Sequence, residues 1–170
     1  KVAIIGITTC TTVSTELPDR RLTFLNEIEA ASEAVSVVKN EHNADIVILL
    51  THLGDKKRLD SQVTSVELAE KIPGIDLIVD GHSHSLFSEP LLVHGVPIVT
   101  AGAYGKYMGE AVLKIRKKQC VGLEWRLFKM TEETFSPDEG IVLFLQEYKD
   151  AAEKELEEVL CSLAMPQEDG

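Results

Sequence analysis

Cysteine is scarce in this chain and follows no pairing pattern. The 170 residues hold only three, Cys10, Cys120 and Cys161, widely scattered and with no Cys-x-x-Cys spacing. An odd, dispersed set excludes a disulfide framework or a zinc ribbon, so the three read as small hydrophobes or free thiols. Positive charge is also short: 17 Lys and Arg stand against 28 Asp and Glu, a net charge of −11. Such a surface repels a phosphate backbone, which argues against polymeric nucleic acid as a partner. Long apolar runs are missing as well. No stretch approaches the ~20 residues that span a bilayer, so no membrane span is expected.

What is present is concentrated at two strand ends. The runs Ile46-Val47-Ile48-Leu49-Leu50-Thr51-His52-Leu53-Gly54 and Asp76-Leu77-Ile78-Val79-Asp80-Gly81-His82-Ser83-His84 are short, β-branched and followed at once by small residues. Each reads as a buried parallel strand whose carboxyl end delivers imidazoles into a crevice, where open α/β sheets keep their chemistry. Three of the five histidines lie there. Alternate residues of an extended segment point the same way, so His82 and His84 are expected to face a common centre while Ser83 turns away. Neutral imidazole is the commonest ligand for transition metals; polar turn histidines at the sheet rim are the plainer alternative. His52, one β-α unit earlier, is expected beside the pair. With it, metal ligation is the favoured reading.

The remaining pattern is βαβαβ followed by hairpins. Val2 to Ile7 reads as a strand, followed by a loop through Pro18. Glu27 to Asn40 reads as a helix with Asn26 as N-cap and Ile28, Ala31, Val35 and Val38 on one face. Asp45 to Thr51 is the next strand, and Ser65 to Ile72 a helix ended by Pro73-Gly74. That order predicts parallel strands with right-handed crossovers. Leu91 to Val99 is expected to turn at His94-Gly95, and Gly109 to Arg116 with Gly122 to Met130 to form a second hairpin around Lys117 to Val121; a mostly antiparallel second sheet follows. Ser136 is the expected N-cap of a solvated helix running to about Leu160, with Pro137 in its first turn, an apolar stripe of Ile141, Phe144, Leu145, Tyr148 and Ala152, and a polar tail from Gln167 to Gly170. Gly54, Gly81, Gly102 and Gly105 fall in the rim loops, where missing side chains let backbone approach a ligand. Tyr104 and Lys106 are read as packing residues, and His42 and His94 as solvated.

Four segments, taken in order, resemble the calcineurin-like metallophosphoesterases, in their 5'-nucleotidase and UDP-sugar hydrolase branch. They are Lys1 to Thr9, Leu50-Thr51-His52-Leu53-Gly54, Ile78 to His84, and Thr100-Ala101-Gly102-Ala103-Tyr104-Gly105-Lys106-Tyr107-Met108-Gly109. The resemblance implies an α/β (α+β) fold, a two-sheet βαβ sandwich of the metallophosphoesterase type, incomplete here. Residues 1–135 would be the C-terminal half of the catalytic domain and 136–170 a connecting helix and tail toward a further domain. The family's opening Asp-x-His strand, its bridging aspartate and its Asn-His segment with the catalytic histidine have no counterpart in this sequence.

By that resemblance His52 and His82 would hold one metal and His84 the other, two divalent ions drawn from Mn, Zn, Co or Fe, since a nitrogen-rich set without cysteine disfavours calcium. Two such ions ~3.5–4 Å apart neutralise a phosphate ester's oxygens and bring a bridging water toward a pKa of ~7. Asp80 would either accept a hydrogen bond from a ligand imidazole and fix its tautomer, or only cap its turn. The implied activity is hydrolysis of phosphate esters, as a 5'-nucleotidase or 2',3'-cyclic-nucleotide phosphodiesterase. A thiosulfohydrolase of the same architecture and a non-catalytic metal-binding module are the alternatives. The resemblance further implies a nucleotide or other phosphate-ester substrate and an extracytoplasmic site, in the periplasm or at the cell surface. The incomplete metal shell implies an inactive isolated chain. The unpaired sheet edge implies a companion segment of the same precursor or a self-dimer.

Overall fold

A computed structural model describes residues 1–11, 21–57 and 62–156. The loop through Pro18, the helix end at Leu160, Cys161 and the tail from Gln167 lie outside them. The chain forms two compact units, Lys1–Met130 and Thr131–Gly170.

The first unit is built on a five-stranded sheet in the order β1-β2-β3-β5-β4. Its strands are β1 (Val2–Thr8), β2 (Ile46–His52), β3 (Leu77–Val79), β4 (Leu91–Val93) and β5 (Val96–Val99). β1, β2, β3 and β5 run parallel, and β4 closes the sheet antiparallel to β5. Helices α1 (Glu27–Asn40) and α2 (Ser65–Lys71) make the crossovers. Both start as their caps require. Asn26 Oδ1 accepts from the amides of Ile28 and Glu29 at 3.0 and 3.2 Å. Thr64 and Glu67 exchange bonds in a capping box, which satisfies two helix-end donors at once.

One face of the sheet is the core. Val47, Leu49, Ile78 and Ile98 pack there against Ala31 and Val35 of α1 and Leu68, Ala69 and Ile72 of α2, with Ala3, Ile5 and Ile7 of β1 completing the layer. The period of two sends the alternate residues of β1 to the other face, where Val2 and Ile4 remain 56% and 64% exposed beside Leu50 at 47%. β1 is therefore half-buried, not buried through.

The first hairpin turns at His94-Gly95, whose φ values of 48° and 86° are both left-handed, as a tight two-residue turn needs. Its place departs from the expectation of a separate antiparallel sheet. Ile98 and Val99 are fully buried and pair in parallel with Ile78 and Val79, so β5 extends the main sheet. A Val-Pro-Ile-Val run buried on both faces belongs in a parallel sheet, which hairpin grammar alone does not reveal. The second sheet consists of β6 (Tyr107–Arg116) and β7 (Gln119–Lys129), antiparallel and joined through Lys117 and Lys118. Trp125 Nε1 donates to the Phe87 carbonyl at 2.7 Å, tying β7 to the segment before β4. Cys10 and Cys120 are free thiols.

In the second unit, α3 (Glu139–Leu156) starts two residues later than the sequence suggests. Asp138 is its cap: Oδ1 accepts from the Ile141 amide at 3.0 Å, and the Asp138 carbonyl from the Val142 amide at 3.0 Å. A carboxylate at the positive helix end outcompetes the Ser136 hydroxyl.

Candidate metal centre

The two histidine segments meet at the carboxyl ends of adjacent parallel strands. β2 ends on His52, and β3 ends one residue before Asp80. The rings of His52 and His82 pack edge to face with centroids 5.1 Å apart. Small residues allow this approach. A Cβ added at Gly81 would lie 3.2 Å from His52 Nδ1, and one at Gly54 would lie 3.2 Å from Ser83 Cβ and 3.5 Å from His82 Cδ2. Gly54 also holds φ at 83°, a value that side chains resist.

The loop that presents His52 is held at every backbone polar group of the next two residues. The amides of Leu53 and Gly54 donate to Asp80 Oδ1 at 3.1 and 3.2 Å. The Leu53 carbonyl accepts from Gln62 Nε2 at 2.7 Å, and the Gly54 carbonyl from the Ser65 amide and hydroxyl at 2.9 and 3.1 Å. Leu53 is fully buried below. Asp80 Oδ1 accepts a third bond from the Thr51 hydroxyl at 2.7 Å. These bonds cap the turn that carries His52.

His82 and His84 are not presented by an extended segment. Both are left-handed, at φ 76° and 57°, and the Ser83 amide donates to the Gly81 carbonyl at 3.0 Å. His82 is thus the middle of a three-residue γ-type turn, a rare and strained form. Strain in non-glycine residues costs ~1–3 kcal/mol each and persists where the surroundings over-determine it. The two imidazoles on this turn have different ring partners. His84 is exposed and lies edge to face on Tyr104 at 5.2 Å, while His82 is half-buried against His52. Tyr104, itself left-handed at φ 60°, is 82% exposed, with Lys106 Nζ 5.7 Å from its ring; both stand at the rim instead of packing inside.

The donors fit part of a metal shell. Two imidazoles adjoin in a cradle that a Cβ at Gly81 would fill, and the third is on the same turn. Among the described residues no three His, Cys, Asp or Glu side chains gather around one point. A hollow of about 310 Å³ is bounded by Asp80, Thr100, Tyr104, Tyr107 and Trp125, and none of the three histidines lines it.

Sequence reasoning missed Asp55, Ser83 and Ser85. The Asp55 carboxylate accepts from both hydroxyls, the Ser85 bond measuring 2.6 Å. Burial acts to raise this carboxyl, but the bonds from Ser83, Ser85 and its own amide, with Lys56 nearby, outweigh it and hold it below the usual carboxylate range. The alternation His82-Ser83-His84-Ser85 was the available signal.

With this geometry stand the likenesses to other proteins. No family model matches the chain. It is 34% identical over 124 residues to the trifunctional nucleotide phosphoesterase YfkN of Bacillus subtilis, covering 71% of this chain and 8% of that protein. To a 5'-nucleotidase of Diplobatis ommata it is 28% identical over 142 residues, covering 73% and 23%. Among solved structures, the sulfate thiohydrolase SoxB of Thermus thermophilus superposes with a TM-score of 0.72 at 30% identity, over 91% of this chain and 27% of that one. The calcineurin-like phosphoesterase YfkN of Bacillus subtilis superposes at 0.71 and 21% identity, over 92% and 53%, a likeness of fold.

The sheet and its crossovers are those of a metallophosphoesterase fold. The chain belongs to the calcineurin-like metallophosphoesterases, in the group that includes the 5'-nucleotidases. It spans less than a third of the length of the curated relatives it matches.

Proposed function

We propose that the protein carrying this chain is a hydrolase of phosphate esters that uses two divalent metal ions, acting on a nucleotide as a 5'-nucleotidase or 2',3'-cyclic-nucleotide phosphodiesterase. The observation that carries this reading is the edge-to-face pair of His52 and His82 at 5.1 Å, on turns at the ends of neighbouring parallel strands. His52 and His82 would hold one ion and His84 the other, with Mn, Zn, Co or Fe suited to imidazole. Such ions neutralise the ester's anionic oxygens and lower the pKa of a water they share. Asp80 keeps the His52 turn in place, and the left-handed residues His82 and His84 set their rings against His52 and Tyr104.

Thiosulfohydrolase chemistry is the second reading, favoured by the likeness to the sulfate thiohydrolase. We further propose that residues 1–170 alone are inactive, that a companion segment of the same precursor or a second copy covers the edge at β1, and that the protein works outside the cytoplasm. Exposed Val2, Ile4 and Leu50 beside an edge strand support such a cover. Among the described residues no helix is long and apolar enough to cross a membrane.

The test is His82→Ala in the full-length enzyme, with AMP hydrolysis and bound metal measured on the same preparation. Both should fall together. Full activity in that variant would overturn the reading.

A further inference from the structure

We propose that Asp55 is a positioning residue for the histidine turn: by holding the hydroxyls of Ser83 and Ser85 it sets where His82 and His84 present their imidazoles. Residues 82 to 85 read His-Ser-His-Ser, and a single oxygen, Asp55 Oδ1, accepts from both serines, 28 and 30 positions away. One carboxylate thereby fixes both residues that alternate with the histidines. The Asp55 amide returns toward Ser83 Oγ at 3.5 Å, and Gly54 lies against Ser83 so closely that a Cβ there would come to 3.2 Å.

Without such an anchor the turn has little reason to hold its shape. His82 and His84 occupy left-handed conformations at φ 76° and 57°, which non-glycine residues leave unless something holds them. Hydrogen bonds to an ionised acceptor are about twice as strong as neutral ones, and two of them converge on this segment. Asp55 remains ionised across the neutral range, since its carboxyl is held below the ordinary value. It also follows the His52 turn by three residues, so the same loop that carries one imidazole anchors the segment that carries the other two.

The use assigned to the imidazoles rests on the metal-site reading; the placement of the turn does not. The experiment therefore has two arms, both on the 170-residue chain. In the first, backbone order parameters of residues 81–85 and the imidazole resonances are followed by NMR in wild type, Asp55→Ala, Asp55→Asn and the double variant Ser83→Ala/Ser85→Ala. In Asp55→Ala the segment should pass from rigid, S² near ~0.85, to below ~0.6. The His82 and His84 resonances should move while His42 and His94 stay. Asp55→Asn, which keeps the accepting oxygen, should restore most of the order. The serine double variant should match Asp55→Ala, and combining all three substitutions, Asp55→Ala/Ser83→Ala/Ser85→Ala, should add nothing further. If Asp55→Ala fails to fold, the serine pair decides alone.

In the second arm, zinc alone is titrated calorimetrically, and its affinity should drop about 10–100-fold in Asp55→Ala and in the serine double variant. Unchanged order and unmoved His82 and His84 resonances in a folded Asp55→Ala or serine double variant would overturn the proposal. If the wild-type chain, with its partial shell, takes up no zinc, the first arm alone decides the role of Asp55.

Discussion

The Thr51 hydroxyl donates to Asp80 Oδ1 at 2.7 Å, and this bond joins the ends of the two strands that present His52 and His82. The same oxygen takes the Leu53 and Gly54 amides. Asp80→Ala would leave three donors without their acceptor in a part-buried turn. We expect it to destabilise the chain by about 2–4 kcal/mol, given ~1–3 kcal/mol for a buried group left unsatisfied. Asp80→Asn, which keeps an acceptor, should cost about half as much. Urea midpoints should drop at constant m-value.

A second prediction concerns the β6–β7 hairpin. A Cβ at Gly109 would stand 2.0 Å from Trp125 Cη2, so the edge of the ring occupies a position that only glycine permits. Because Trp125 Nε1 is bound to the Phe87 carbonyl, the ring cannot swing aside without losing that bond. Gly109→Ala should destabilise by about 1–3 kcal/mol, the usual range for overpacking. Trp125 is the chain's one tryptophan; its fluorescence should shift to the red as the ring meets water. An unshifted spectrum would show that the hairpin accommodates the methyl group elsewhere.

Acid should weaken the start of α2. Burial acts to raise the Glu67 carboxyl, but the Thr64 amide, Lys57 and Lys71 outweigh it and hold it below its ordinary value of 4.5. A lowered folded-state pKa means that the contribution is fully present above pH 4.5 and is lost as pH falls through the folded value. Glu67→Gln should therefore lower the urea midpoint at neutral pH. The gap between variant and wild type should close well below pH 4.5. A gap that persists unchanged in acid would assign the effect to shape instead of charge.

Residues 1–170, saturated with manganese or zinc, should hydrolyse neither AMP nor a nitrophenyl phosphodiester above the rate of the free ion. A pair of dications ~3.5–4 Å apart calls for an anionic group to offset their repulsion, and Asp80 Oδ1 already accepts three bonds in the His52 turn. Turnover near that of a complete enzyme would defeat this prediction.

Local order was determined by the sequence itself. Asn26, Thr64 and the 3.6-residue spacing of Ala31 and Val35 specify their helices from within a few residues, because capping and helical periodicity are short-range effects. The β-branched runs before Thr51-His52 and Asp80-Gly81 likewise specify parallel strands, and with them the sheet end where the histidines cluster. Tertiary structure alone decided what those histidines do next. The edge-to-face contact of His82 with His52, the anchoring of Ser83 and Ser85 on Asp55 and the entry of Ile98 and Val99 into the main sheet all join residues about 20 to 30 positions apart. Such contacts exist only after loop closure has brought the partners together, so a local pattern such as the His-Ser alternation does not name the partner. Only the folded sheet, by placing β2 beside β3, gives Asp55 and Asp80 the partners that shape the site.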